Sequence, residues 1–274
     1  MSKRKITLLI IAAALVLFIA FGFDARLRVR HYAVESDEIS ARVRICLVTD
    51  LHSCRYGDGQ KTLIDALDEE KPDIVLLGGD IFDDNMPDGN TEIFLQAIAG
   101  RYPCYYVTGN HECWCGEKAF SGKMEKLEKL GITRLSGETA DIEINGERVC
   151  ICGIDDPDAR LIDRSTNFPA QLSRLSQEKE GYTVLLSHRP EKFEEYVKGG
   201  FDLVLCGHAH GGQWRIPLLL NGLAAPNQGL FPKYAGGRYE SGETTMIVSR
   251  GLARESTRIP RFYNRPELVI IDVE

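Results

Sequence analysis

Five of the six histidines in this chain directly follow apolar runs: His52, His111, His188, His208 and His210. His208 and His210 stand one residue apart in Cys206-Gly207-His208-Ala209-His210-Gly211-Gly212-Gln213, just after the apolar residues 201–205. Two imidazoles on a turn at the carboxyl end of a strand project toward a common point. Imidazole is the commonest protein ligand for transition metals. Polar partners stand at other strand ends: Asp50 two residues before His52, Asp80 after Gly78-Gly79, and Asn110 just before His111. Each cluster alone is a weak signal, because Asp-x-His arises by chance and Gly-Asp is a common turn. Five of them in order, Asp-x-His, Gly-Gly-Asp, Gly-Asn-His-Glu, Ser-His and Gly-His-x-His, are not expected from packing needs.

The elements that must position these residues are strands and helices in alternation. Residues 44–49 read as a strand delivering Asp50, residues 74–77 as a buried strand delivering Asp80, and residues 105–108 as a third delivering Asn110. Helices are expected over 62–70, 91–99 and about 119–130 between and after them. The polar residues recur every 30 positions, about the length of a βαβ crossover. Right-handed crossovers put all three turns on one edge of a parallel sheet, and ligands of open α/β sheets bind at that carboxyl edge. Residues 141–153 read as a hairpin around Asn145-Gly146. Residues 182–187 read as a strand delivering His188, and 191–198 as a helix. Residues 244–248 and 267–273 are late strands expected to complete a second sheet.

The chain has 274 residues, 43% hydrophobic and 27% charged, enough for one full core. Its net charge is −7; without Lys3, Arg4 and Lys5 the balance is 30 basic to 40 acidic residues, or −10. An acidic domain lacks the basic footprint of non-specific nucleic-acid binding. Residues 6–23 are an apolar run behind Lys3-Arg4-Lys5 and reach the lower limit for a membrane-spanning helix. The expectation is a single-pass anchor over 1–23, a linker over 24–43 and a domain over 44–274, with the domain outside the cytoplasm. A cleaved signal is the alternative, although Ala20-Phe21-Gly22 is a marginal cleavage site. Arg26, Arg28 and Arg30 follow the span, so the positive charges on its two sides nearly tie. Cys46, Cys150, Cys152 and Cys206 read as buried small hydrophobes.

As an ordered set, these motifs resemble the calcineurin-like metallophosphoesterase family over residues 44–273. Within it, residues 207–213 and Asn264-Arg265-Pro266-Glu267 look like the membrane-anchored bacterial branch, which is similar to UDP-diacylglucosamine pyrophosphatases. The resemblance implies an α/β fold, a four-layer αββα sandwich of two mixed sheets after an N-terminal transmembrane helix. It implies that Asp50, His52 and His210 hold one divalent ion, that Asn110, His188 and His208 hold a second, and that Asp80 bridges both. Mixed nitrogen and oxygen ligation suits Mn, Fe, Zn or Co, with Mn the first choice in vitro. Two ions ~3.5–4 Å apart form a phosphoryl-transfer device that activates water and binds phosphate oxygens. His111 is left without an ion, and the resemblance makes it the general acid for the leaving oxygen; capping the turn is the plainer alternative. Glu112 is a weaker candidate for orienting a neighbour.

The implied activity is hydrolysis of a phosphodiester, phosphomonoester or pyrophosphate, with a nucleotide-linked glycolipid at the membrane as the first substrate guess. A non-catalytic metal-binding scaffold, or a protein phosphatase or cyclic-nucleotide phosphodiesterase, are the alternatives. Leu218-Leu219-Leu220, Leu223, Leu230 and Phe231 read as a loop covering the core, with a lipid-facing lid as the second reading. Arg250, Arg254, Arg258, Arg261 and Arg265 suit anionic groups, although Glu240, Glu243 and Glu255 among them suit a solvated mixed surface equally. Cys113-Trp114-Cys115 reads as buried or exposed side chains, with a redox-sensitive rim as the alternative.

Overall fold

The structure is a computed structural model that describes residues 2–257 and 259–274. Helix α1 (Lys3–Gly22) is followed by β1 (Arg28–Val34), β2 (Val43–Val48), α2 (Lys61–Glu70), β3 (Ile74–Gly78), α3 (Gly89–Ile98) and β4 (Cys104–Val107). Next come α4 (Asn110–Trp114), α5 (Glu117–Lys129), β5 (Thr133–Arg134), β6 (Glu138–Ile144), β7 (Glu147–Gly153), α6 (Phe168–Glu178) and β8 (Tyr182–Leu186). The chain ends with α7 (Phe193–Gly199), β9 (Leu203–Cys206), β10 (Ala224–Ala225), β11 (Gly229–Leu230), β12 (Gly237–Ser241), β13 (Thr244–Val248) and β14 (Glu267–Val273).

Two six-stranded mixed sheets form, in the orders β1-β14-β2-β3-β4-β5 and β12-β13-β9-β8-β7-β6. Both faces of each are covered, which explains why the strands read as unbroken apolar runs rather than alternating ones. In β2, Ile45 and Leu47 point into a core shared with Val184, Leu186 and Leu205 of the second sheet. Cys46 and Val48, on the opposite face, pack with Leu63 and Leu67 of α2 and Phe94 of α3. Outside the second sheet, Leu185 and Val204 pack with Leu172 and Leu175 of α6 and Tyr196 of α7. Helix, sheet, sheet and helix layers thus make the expected αββα sandwich.

Three expectations change. Residues 24–43 are not a featureless linker: β1 pairs in parallel with β14 from Arg28↔Glu267 to Val34↔Val273 and forms the edge of the first sheet. Its faces are split: Tyr32 and Val34 turn into the core between the sheets, while Val29 packs on the opposite, helix-covered face. β14 does not complete the second sheet but joins the first, antiparallel to β2; an apolar run carries no label for which of two buried sheets it enters. The leucine-rich segment does not cover the core, because Leu218 is 106% exposed, Leu219 83%, and Leu230 and Phe231 also lie in solvent. Of the five clustered arginines, Arg261 is buried against backbone carbonyls, and Arg258 lies outside the described residues.

Candidate metal centre

Seven candidate residues leave the sheets at their carboxyl edges and converge. Asp50 and His52 follow β2, Asp80 follows β3, Asn110 opens α4 just after β4, His188 follows β8, and His208 and His210 follow β9. All seven are buried. Asp50, His52, Asp80 and His210 can each offer one ligand atom within 4.8 Å of all the others, and so can Asp80, His188 and His208. Asp80 belongs to both groups. Its Oδ2 lies 3.5 Å from His52 Nε2 and 3.1 Å from His188 Nε2.

The backbone is bent hard to achieve this. Asp50, His52, Asp80, His208 and His210 all have φ between 46° and 67°, a left-handed conformation that costs a non-glycine residue on the order of 1–3 kcal/mol. The turns also need close approach. Gly79 has φ +85°, and a Cβ there would stand 2.7 Å from His188 Nδ1; Gly109 lies against Asp80, where a Cβ would collide with the carboxylate.

The donor set fits divalent cations. Asp50 Oδ2, His52 Nε2, Asp80 Oδ2, Asn110 Oδ1 and His210 Nδ1 are buried without a hydrogen-bond partner, at a cost of about 1–3 kcal/mol for each bare polar group. A cation satisfies such acceptors together. Burial opposes charge on Asp80, yet His188 and His52 beside it hold its carboxyl well below the usual range. Burial, then the cationic neighbours His188 and Arg189, push His208 well below the ordinary imidazole range, and burial with His52 does the same to His210. The ionised Asp80 and the neutral His208 and His210 are in the states that a metal requires of its ligands. Burial opposes charge on His52 and His188, yet the carboxylates around them push His52 up and His188 up to about 10, so a metal would displace their protons.

A second layer of contacts fixes these groups, as is usual around metal ligands. His52 Nδ1 donates to Asp83 Oδ2 at 2.9 Å, which leaves its Nε2 free. His188 Nδ1 donates to the Gly78 carbonyl at 2.9 Å, which turns its Nε2 toward His208 Nδ1 at 3.2 Å and Asp80 Oδ2 at 3.1 Å. His208 Nε2 lies 2.8 Å from Asn227 Oδ1. Asn227 is held in turn by Arg189 Nη1 at 2.6 Å, and the same guanidinium pairs with Asp156. Asn264 Nδ2 donates to the His210 carbonyl at 2.7 Å and clamps that turn.

His111 lies outside those two groups, but it can offer a ligand atom within 4.8 Å of those of His52 and Asp83 and so adjoins the first. Its backbone N–H donates to Asp80 Oδ1 at 2.9 Å, its Nδ1 donates to Asp84 Oδ1 at 2.6 Å, and its ring meets His52 edge-on at 4.4 Å. The His111 side chain is 25% exposed, the most open of the five imidazoles here. Trp114 lies tilted against it, ring centroids 4.7 Å apart, while Cys113 is buried and donates to the Gly109 carbonyl. Glu112 is the larger surprise. Its buried carboxylate accepts N–H groups from Asp80, Ile81, Phe82 and Gly109 at 2.8–3.0 Å, tying the Asp80 turn to the Asn110 turn.

The family model for calcineurin-like phosphoesterases matches residues 43–212. An uncharacterized metallophosphoesterase of Aquifex aeolicus is 30% identical over 258 residues, 90% of this chain and 92% of that protein. Phosphodiesterase YaeI of Escherichia coli is 28% identical over 89% of this chain and 87% of its own length. Two relatives from Helicobacter pylori are longer, and this chain spans 59% of each. Among solved structures, the NAD nucleotidase of Haemophilus influenzae superposes with a TM-score of 0.52 at 16% identity, covering 78% of this chain and 46% of that one. The phosphopantetheinyl hydrolase of Mycobacterium tuberculosis gives 0.50 at 13% identity, covering 77% and 89%. These two likenesses speak for the fold. The chain belongs to the calcineurin-like phosphoesterase family and is a metal-dependent phosphoesterase with a divalent two-metal site.

Proposed function

We propose that the chain hydrolyses a phosphodiester or pyrophosphate bond in a lipid-linked substrate, with Mn, Fe, Zn or Co as the working metal and Mn the first choice in vitro. In this reading Asp50, His52 and His210 hold one ion, Asn110, His188 and His208 hold the other, and Asp80 serves both. The carrying observation is the single oxygen Asp80 Oδ2, which faces an imidazole of each set at 3.5 and 3.1 Å. When bound, the two ions supply Lewis acidity and an activated water nucleophile.

The remaining steps fall to the chain's own side chains. Asp84 holds the Nδ1 proton of His111 and leaves Nε2 to deliver a proton to the leaving oxygen, which makes His111 the general acid. Its partial exposure, against buried neighbours, supports a substrate approaching over that ring. Likeness to a relative named as a phosphodiesterase favours a diester over a monoester. The lipid linkage is supported by α1, which is long and apolar enough to cross a membrane and almost wholly exposed. We read it as an uncleaved anchor.

The test is turnover by the full chain in detergent micelles, loaded with Mn²⁺, on bis-p-nitrophenyl phosphate and p-nitrophenyl phosphate. Faster hydrolysis of the diester is expected. Hydrolysis of the monoester alone would overturn the assigned bond class.

A further inference from the structure

Where α1 meets the domain, a cavity of about 580 Å³ opens, lined by residues from four separated parts of the chain. Four lining residues are arginines, Arg28, Arg215, Arg250 and Arg265, and none is acidic. In a chain of net charge −7 this is a strong local reversal. Glu267 lies 3.5 Å from Arg250 and Asp24 lies 3.6 Å from Arg265, so two of the charges are offset nearby. Among the described residues, Arg28 and Arg215 have no carboxylate within 4 Å. Burial, and then the charge of Arg250, pull Arg215 down to about 10, so it stays cationic at neutral pH beside a second guanidinium. The buried Arg250 Nε is the atom that faces Glu267 at 3.5 Å, so Arg250 is already engaged.

The cavity rim is apolar. Ile216, Leu218, Leu219 and Leu220 line it together with Phe21 of α1, and Leu218 and Leu219 are among the most exposed hydrophobic side chains of the chain. The height of this rim relative to α1 is set by contacts. Tyr263 Oη donates to the Phe18 carbonyl at 2.8 Å, and the Tyr263 backbone N–H donates to the Gly22 carbonyl at 2.6 Å. The rings of Phe23 and Phe262 meet at 5.1 Å. The arginines therefore sit level with the carboxyl end of α1, where a spanning helix leaves the hydrocarbon for the headgroup layer. Guanidinium groups above projecting leucines match that boundary, with charge for phosphate and apolar side chains for acyl chains. Arginine is also the cation whose planar fork fits phosphate oxygens.

We infer that this cavity seats the phosphate of an anionic membrane phospholipid, held by Arg28 and Arg215, with Leu218 and Leu219 in the acyl layer. The inference rests on α1 remaining in the membrane as proposed above. Arg215 Nη1 also donates to the Gly211 carbonyl at 3.0 Å, next to His210. A seated phospholipid thus braces the turn that carries two of the candidate ligands and fixes the domain's tilt on the bilayer.

Native mass spectrometry of the full chain, released from neutral detergent micelles containing equal phosphatidylglycerol and phosphatidylcholine, tests it. One retained phosphatidylglycerol is expected, favoured over phosphatidylcholine by roughly tenfold or more. The Arg28→Gln/Arg215→Gln double variant should lose that preference. The Arg28→Lys/Arg215→Lys variant should keep part of it, with unfolding midpoints of both close to the parent. Equal retention of the two lipids, or a preference unchanged in the Gln variant, would overturn the assignment. So would displacement of phosphatidylglycerol by inorganic phosphate at matching concentration, which would mark a free-phosphate site. Release of the chain from membranes by alkaline carbonate is a separate failure, since it removes the anchor and with it the lipid source.

Discussion

The Glu112 carboxylate accepts the backbone N–H of Asp80 at 3.0 Å, and neither group touches solvent. The same carboxylate also accepts from Ile81, Phe82 and Gly109. One side chain thereby sets the φ of +52° that aims Asp80. Glu112→Gln places an NH₂ donor against N–H groups, and the loss of metal affinity or kcat should be on the order of 10–100-fold. Glu112→Ala leaves four buried N–H groups bare, at about 1–3 kcal/mol each, and should lower the unfolding midpoint steeply. Metal content, kcat and thermal unfolding of both variants check this. A Gln variant with full activity and full metal content removes the role.

His111→Ala should keep its metal and its fold, because its hydrogen bond to Asp80 is made by the backbone N–H and its ring meets the ligand His52 through an edge contact alone. Turnover should fall about 10²–10⁴-fold for a poor leaving group. The loss should shrink for p-nitrophenol, which needs little help from an acid. Rates over a series of aryl and alkyl leaving groups measure this. A loss independent of the leaving group would make His111 a positioning residue instead.

β1 offers a third test, on folding. Val34 is buried in the core between the sheets, and β1 covers the edge of β14. A chain beginning at residue 26 should be soluble and melt as one unit. One beginning at residue 36 bares the β14 edge and should aggregate or melt several degrees lower. Equal melting of the two, by circular dichroism and light scattering, would show that β1 contributes nothing.

These residues also mark what is legible in a sequence. The site strands were readable because burial on both faces writes continuous apolar runs, each ending in a polar turn. The 30-residue interval from Asp50 to Asp80 to Asn110 showed that the turns share one edge. β1 was missed because Arg28, Arg30 and His31 interrupt its few apolar residues, which are shared between its two faces. α6 was missed although Asn167 caps it, accepting from Ala170 N at 3.0 Å, and Phe168, Leu172 and Leu175 form its buried stripe. Glu112 was undervalued because its partners are backbone amides, which have no sequence signature. Asp83, Asp84, Asp156 and Asn227 act only through distant histidines or Arg189, so nothing local distinguishes them from ordinary loop residues.

The most direct test of the two-metal account is the metal count of the full chain beside Asp80→Asn, after stripping, reloading with Mn²⁺ and dialysis. Two ions per chain with diester turnover are expected for the parent, and chelation should abolish turnover until metal is restored. Asp80→Asn should hold at most one ion and lose nearly all turnover, since one neutral amide oxygen cannot offset two cations. A variant that retains two ions and full turnover, or a parent that works at full rate with a single ion, would contradict the account.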